Sequence, residues 1–283
     1  GGRGSGAPNS STPAQPTTQI AAGASRAQPF TGLYAVDAYG DLLAASSPPL
    51  PPTATWPGWS IVRGLAMAPG GQGGYVLDGY GGIHPFGSAP VLPTSGYWSG
   101  WDIARGAAIA PGGQGGYTVD GWGGVHPIGN APLVNATSYW PRWDIARGIT
   151  LDACDATGHS GWVLDGWGGV HPFGGAALLN ATSYWPGWDI ARAIASVCTN
   201  GRPGGYVLDG WGGVHPFGAA PPLPTTLYWR GWDIARGIAV VPGGGGGYVV
   251  DGWGGFHPIG NAPAVDTYVY TPGRDVVRGL TAS

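Results

Sequence analysis

The string Asp-Gly-aromatic-Gly-Gly-apolar-His-Pro opens at Asp78, Asp120, Asp165, Asp209 and Asp251, and a worn copy, Asp37-Ala38-Tyr39-Gly40-Asp41, precedes them. Successive copies lie 41, 42, 45, 44 and 42 residues apart. A second string, Trp-Asp-Ile-Ala-Arg, keeps the same period and ends on Arg63, Arg105, Arg147, Arg192, Arg236 and Arg278, its first and last copies being variant. Repetition at a fixed period constrains a chain more than any local motif, because each repeat must be one supersecondary unit that buries its apolar face against the next. Helical repeats would space apolar residues by 3.6. A period of this length, rich in Gly, Trp and Asp, instead predicts one blade of a β-propeller per repeat.

The chemistry inside one repeat agrees. In Tyr206-Val207-Leu208-Asp209-Gly210-Trp211-Gly212-Gly213-Val214-His215, β-branched and aromatic residues flank a centre that can adopt the positive φ of a hairpin turn, which predicts two strands, B and C. A short apolar run, Ile234 to Val241, ends at Pro242 and predicts a strand A near the axis. The Pro-rich residues between His-Pro and the next Trp-Asp allow at most an outer edge strand, since Pro removes ladder donors. Three or four strands per blade both fit.

The two ends of the chain complement each other. The first copy has a B–C hairpin from Gly32 but no strand A before it, while the chain closes on Arg274-Asp275-Val276-Val277-Arg278-Gly279-Leu280, a strand A with no hairpin after it. If residues 276–283 complete the first blade, the expected fold is an all-β, six-bladed β-propeller over residues 30–283, its ring closed by the C-terminal strand with no central edge left unpaired. Closure between two molecules fits equally well. Ahead of it, residues 1–29 are almost wholly Gly, Ala, Ser, Thr, Pro and Gln and read as a linker or extended arm that needs a partner, such as another subunit, to hold it.

With 57 Gly and 28 Pro, the chain would look disordered were it not 43% hydrophobic with 15 Trp, too much apolar surface to stay unfolded. Lys and Glu are absent, so the 12 basic residues are all Arg and the 15 acidic ones all Asp, for a net charge of −3. No basic stripe marks a nucleic-acid surface, and no apolar run has the length of a membrane span. The chain opens without an initiator Met or a signal peptide, as expected of a mature, processed protein.

Cys154 and Cys198 each lie 11 residues before the Asp of their repeat, at Asp165 and Asp209, so they hold equivalent positions in adjacent blades. That equivalence predicts a Cys154–Cys198 disulfide and an oxidising, extracytoplasmic compartment, the alternative being two buried free thiols.

Candidate chemistry competes with structural duty at every repeated residue. The turn aspartates offer one carboxylate per loop, too few for calcium, and are expected to cap loop amides. The histidines at 84, 126, 171, 215 and 257 are spread over five blades, too widely for one metal ion, and are expected to pack or to hydrogen-bond to the neighbouring blade. The loops holding Trp101, Asp102 and Arg105, Trp143, Asp144 and Arg147, Trp188, Asp189 and Arg192, and Trp232, Asp233 and Arg236 combine aromatic faces with planar polar groups. Such a set suits a sugar, whose C–H face stacks on a ring while its hydroxyls bond to Asp and Arg; it also suits packing between blades with Arg paired to Asp. Catalysis requires an acid and a base set apart by environment, and here eleven Asp and six Arg are copied around the repeats. No enzymatic activity and no cofactor are expected. The one histidine outside the pattern, His159, sits in an insertion with Asp152 and Asp155 and reads as solvated.

Glycosylation acceptors of the Asn-x-Ser/Thr type occur at Asn9, Asn135 and Asn180, the last two at equivalent outer positions of adjacent blades. The segment Asp-Gly-Trp-Gly-Gly-Val-His-Pro-Phe-Gly, at 165–174 and 209–218, resembles the Asp-Gly-Gly-Val-x-x-Phe-Gly propeller repeats of secreted bacterial surface proteins. In period the chain is also similar to WD-repeat and lectin propellers, although its Trp-Asp precedes strand A. The resemblance covers residues 32–283 and implies an extracellular propeller without an activity attached to each repeat. The leading expectation is a secreted or cell-surface structural protein that self-assembles, as a homo-oligomer or filament, through residues 1–29. The rival is a multivalent glycan-binding lectin using the Trp, Asp and Arg loops.

Overall fold

The computed structural model describes residues 1, 32–45, 50–52, 54–225, 227–266 and 270–282. The expected arm, residues 1–29, lies outside these apart from Gly1, as does Asn9. The described residues form an all-β structure of eighteen strands in six three-stranded antiparallel sheets.

Sheet one joins both ends of the chain, with β1 (Leu33–Asp37) between β2 (Leu42–Ala45) and the C-terminal strand β18 (Val277–Ala282). Leu33 pairs with Ala282 and Val36 with Gly279. Sheets two to six each use three consecutive strands. Sheet two is β3 (Val62–Met67), β4 (Gly73–Asp78) and β5 (Ile83–Gly87); sheet three is β6 (Ala104–Ile109), β7 (Gly115–Asp120) and β8 (Val125–Gly129). Sheet four is β9 (Ala146–Leu151), β10 (Gly161–Asp165) and β11 (Val170–Phe173). Sheet five is β12 (Ala191–Thr199), β13 (Arg202–Asp209) and β14 (Val214–Gly218), and sheet six is β15 (Ala235–Val240), β16 (Gly246–Asp251) and β17 (Phe256–Gly260). The first strands touch one another in the succession β3, β6, β9, β12, β15, β18, and β18 touches β3.

The Pro-rich linkers supply a rudimentary fourth strand. Thr94, Ala136 and Ala181 each make a single bridge to the outermost strand of the sheet that follows, at Ile128, Phe173 and Phe217. The contact falls where that strand carries its Pro: Ser95, Thr137 and Thr182 donate hydroxyls to the carbonyls of Pro127, Pro172 and Pro216 at 2.8, 2.8 and 2.7 Å. Pro on an edge strand keeps a carbonyl to offer while having no N–H to satisfy.

The middle strands are buried along their length, so each reads as a continuous apolar run rather than an alternation. Each of the five core clusters joins two neighbouring sheets; one combines Trp162 and Leu164 of sheet four with Val207 and Phe217 of sheet five. The interior therefore lies between the sheets. A large ring recurs at one position, Tyr75, Tyr117, Trp162, Tyr206 and Tyr248, and its polar tip donates to a linker carbonyl, at 2.7 Å for Tyr75 to Pro90 and 2.9 Å for Trp162 Nε1 to Ala177. A buried Tyr or Trp needs such a partner. Burial pushes the Tyr206 hydroxyl up to about 12.

Cys154, in the turn between β9 and β10, is bonded to Cys198 near the end of β12, so the disulfide ties sheet four to sheet five across 44 residues. Cross-linking a loop of that length removes about 4 kcal/mol of unfolded-state entropy in the chain-entropy picture. The Cys154→Ser/Cys198→Ser protein is expected to lose up to that much stability in urea denaturation while keeping its far-UV spectrum; an unchanged midpoint would show that the bond adds nothing.

Candidate functional site

The repeated turn is organised by its aspartate. Asp78 Oδ1 accepts the amides of Tyr80 at 2.8 Å and Gly82 at 3.0 Å, while Nε2 of His84 lies 2.7 Å from Oδ2. The same three contacts recur at Asp120, Asp165, Asp209 and Asp251. Of the two expectations for the histidine, packing or a hydrogen bond to the neighbouring blade, the hydrogen bond stays instead within its own hairpin. A carboxylate only accepts, so the ring carries its hydrogen on Nε2. Its neighbour from outside the hairpin is aromatic: Trp98 meets His126 edge-on at 4.8 Å, as Trp140, Trp185 and Trp229 meet His171, His215 and His257. Among the described residues no group of His, Cys, Asp or Glu is arranged to hold a metal ion.

The glycine after each turn aspartate exists for the next repeat. A Cβ on Gly79 would stand 2.3 Å from Asp102 Oδ1, and one on Gly121, Gly166, Gly210 or Gly252 would meet Asp144, Asp189, Asp233 or Asp275 in the same way. The Trp-Asp-Ile-Ala-Arg segment is laid onto the preceding turn, with Ile103 and Ala104 amides both donating to the Gly79 carbonyl. Two residues on, Gly81 (φ +89°) adopts a conformation that side chains disfavour, and a Cβ there would strike Trp98.

Each arginine is thrown out of its strand by a β-bulge. Val62 pairs with Asp78 and Gly64 with Leu77, which skips Arg63; the same irregularity skips Arg105, Arg147, Arg192, Arg236 and Arg278. Bulges re-aim a side chain. Here five of the six carry the guanidinium to the aspartate of the next repeat: Arg63 to Asp102, Arg105 to Asp144, Arg147 to Asp189, Arg192 to Asp233 and Arg236 to Asp275, through both Nε and Nη2. Nη1 of Arg105, Arg147, Arg192 and Arg236 also contacts the aspartate of its own repeat at 3.0–3.3 Å. Burial works against the charged form of Asp102 and Asp233, but the arginines on either side outweigh it and hold both carboxyls below their ordinary range. These Asp and Arg side chains, candidates for sugar contacts in the sequence, are therefore engaged with each other across neighbouring sheets.

Two tryptophans three residues apart, Trp98 and Trp101 and their equivalents, begin each Trp-Asp segment, and the second of each pair is half-exposed. Trp101, Trp143, Trp188 and Trp232 are 42–44% exposed and lean edge-on against Trp122, Trp167, Trp211 and Trp253 at 4.9–5.1 Å. A tyrosine joins three of these pairs, giving the clusters Trp143–Trp167–Tyr184, Trp188–Trp211–Tyr228 and Trp232–Trp253–Tyr270. The tyrosines were not singled out in the sequence, although each stands directly before the first tryptophan of its pair or at the matching position. Asn135 and Asn180 are exposed beside the outer strands of sheets four and five. Asp155 of the insertion accepts from Ser160 and Thr157, which together with two amides draw its carboxyl far below the usual range despite the opposing effect of burial.

No protein-family model matches the chain, and no curated protein matches it. Among the described residues no helix is long and apolar enough to cross a membrane.

Asp102 and Asp233 release their protons more readily folded than unfolded. They therefore contribute stability that is present above their ordinary pKa of 3.8 and lost as pH falls through the lowered values. Burial raises Asp37, which acts in the opposite sense. The denaturation midpoint is expected to fall below about pH 4, less steeply in Asp102→Asn/Asp233→Asn protein; equal slopes would remove these ion pairs from the account.

Proposed function

We propose that this chain is an extracellular, non-catalytic six-bladed β-propeller that presents a ring of aromatic sites to glycans. The closed ring is supported by the pairing of β18 with β1 and by the succession of first strands that returns from β18 to β3. The disulfide fits an oxidising compartment. It also fits the resemblance to secreted propeller repeats.

The observation that carries the glycan reading is the recurrence of half-exposed Trp and Tyr rings at one position per repeat, each ring already braced by a second. A braced ring keeps its face in place without losing side-chain entropy on binding, which favours stacking against a sugar's C–H face. With Asp and Arg engaged between sheets, sugar hydroxyls would be met by indole N–H, tyrosine hydroxyls and backbone groups. Copied sites of modest affinity gain strength together when the ligand is itself repetitive.

A second reading, self-assembly into an extracellular polymer, rests on a separate observation. Val91, Leu133 and Leu178 are 82%, 87% and 78% exposed, each six residues after the His-Pro proline in three successive linkers. Exposed apolar patches mark contact surfaces. Residues 1–29 would serve as the connector in that reading.

A glycan array probed with the full chain, followed by calorimetric titration of the best oligosaccharide, separates the two. Trp143→Ala and Trp188→Ala are each expected to weaken their own site about tenfold and so reduce the stoichiometry by one. No binding by the unsubstituted chain to any glycan would end the lectin reading. Polymers in electron micrographs that disappear on deletion of residues 1–29 would establish the second.

A further inference from the structure

The series of arginine–aspartate bridges is interrupted once. Each bridging carboxylate from Asp144 to Asp275, and Asp102 with it, receives Nε and Nη2 of the arginine one repeat back and Nη1 of the arginine in its own repeat. The corresponding position between Arg278 and Arg63 is Ser60. Arg278 has lost its forward partner: Nη1 is 3.5 Å from Asp275 Oδ1, and its remaining hydrogen bonds go to the carbonyls of Asp275 and Val277. Arg63 has no carboxylate behind it, and its Nη1 donates to the carbonyls of Ser60 at 3.2 Å and Val62 at 2.8 Å. All fifteen aspartates lie among the described residues and Glu is absent, so no other side chain of this chain can supply the missing charge.

The turn beneath has changed with it. Where Gly79, Gly121, Gly166, Gly210 and Gly252 make room for an aspartate oxygen, the first repeat has Ala38, and at the place of that aspartate it has Ser60. An aspartate at 60 would run into that Cβ, so the two positions differ from the pattern together. The backbone latch is thinner as well: Val62 donates to the Ala38 carbonyl and Ala38 to that of Val276, but the Ile61 amide, whose equivalents at Ile103, Ile145, Ile190 and Ile234 reach the turn carbonyl behind, donates to Trp59 instead.

The surroundings are cationic. A cavity of about 110 Å³ is lined by all six bulged arginines. Six guanidiniums face five carboxylates, and the surplus falls at this seam. Burial, followed by the nearby Arg236 and Arg63 charges, lowers the Arg278 pKa against the pull of Asp275.

We infer that the seam formed by Arg278, Arg63 and Ser60 is a binding site for one anionic group of carboxylate, sulfate or phosphate type. The Nε–Nη2 edge of Arg278 offers a planar anion the fork that the other arginines offer aspartate, Arg63 Nη1 joins by exchanging its longer bond, to the Ser60 carbonyl, for one to the anion, and the Ser60 hydroxyl can donate a further bond. The Ala38 methyl keeps the anion nearer solvent than the aspartates sit, which leaves room for the rest of a larger molecule. This inference does not depend on the aromatic clusters binding sugar.

The experiment is NMR observation of the arginine Nε–Hε resonances of the full chain during titration with sulfate, phosphate, acetate and methyl glucuronide, with methyl glucoside as the neutral control. One saturable site is expected, moving Arg278 and Arg63 and leaving Arg147 unmoved. Tighter binding of methyl glucuronide than of acetate would assign the anion to an acidic sugar; tighter binding of phosphate or sulfate would assign it to a free oxyanion. Ala38→Gly/Ser60→Asp, which writes the missing bridge into the chain, is expected to weaken binding at least tenfold, as is Arg278→Gln should the double variant fold poorly. No movement at Arg278 with any of the four anions would overturn the inference, and so would unchanged binding by both variants.

Discussion

One carboxylate per repeat connects neighbouring sheets, and most of the sequence pattern follows from where it sits. Asp102 takes a guanidinium from the strand behind, rests against a glycine of the turn behind, and begins the segment whose amides hang on that glycine's carbonyl. A bidentate pair fixes direction as well as distance. An isolated pair at the surface is worth little. Here it is repeated five times, flanked by buried clusters that span the same sheets, so its main effect is to set the register of one sheet on the next.

The period, the hairpin and the complementary ends were legible because they rest on local rules: Asp-Gly for a turn, an apolar run for an inner strand, a missing strand at one end and a spare at the other. The disulfide was legible because equal spacing in adjacent repeats implies adjacency in space. What pattern alone hid was partnership between repeats. The sequence places Asp102 beside Arg105, three residues apart, yet the bidentate bond of Asp102 goes to Arg63, 39 residues away. Nothing local encodes the bulge that aims Arg63 there. For the histidines, packing against a ring from outside the hairpin was legible, but the partner of their hydrogen bond was not, because side-chain direction after a tight turn depends on its geometry. Ser60 and Ala38 were visible as wear in the first copy, but that they depart together follows only once Gly79 and Asp102 are seen in contact.

The glycine content acquires a similar explanation. In a chain this rich in glycine the usual inference is flexibility, but Gly79 and its equivalents sit where a neighbouring side chain leaves no space for a methyl group. They are the cost of letting a charged latch approach the backbone. The polar half of each repeat is thereby used in assembly, which leaves the half-exposed Trp and Tyr rings and Arg278, the one bulged arginine with no forward carboxylate, to meet something else.

The direct test of the latch is a double-mutant cycle on Arg147 and Asp189, with Arg278 and Ser60 as the internal control, measured by urea denaturation. Arg147→Gln and Asp189→Asn are expected to be non-additive by about 1 kcal/mol, at the upper end for partly exposed pairs because the bond is bidentate and networked. Arg278→Gln and Ser60→Ala should simply add. Additivity in both cycles would mean that the arginine–aspartate series does not hold the sheets together, and the account built on it would fail.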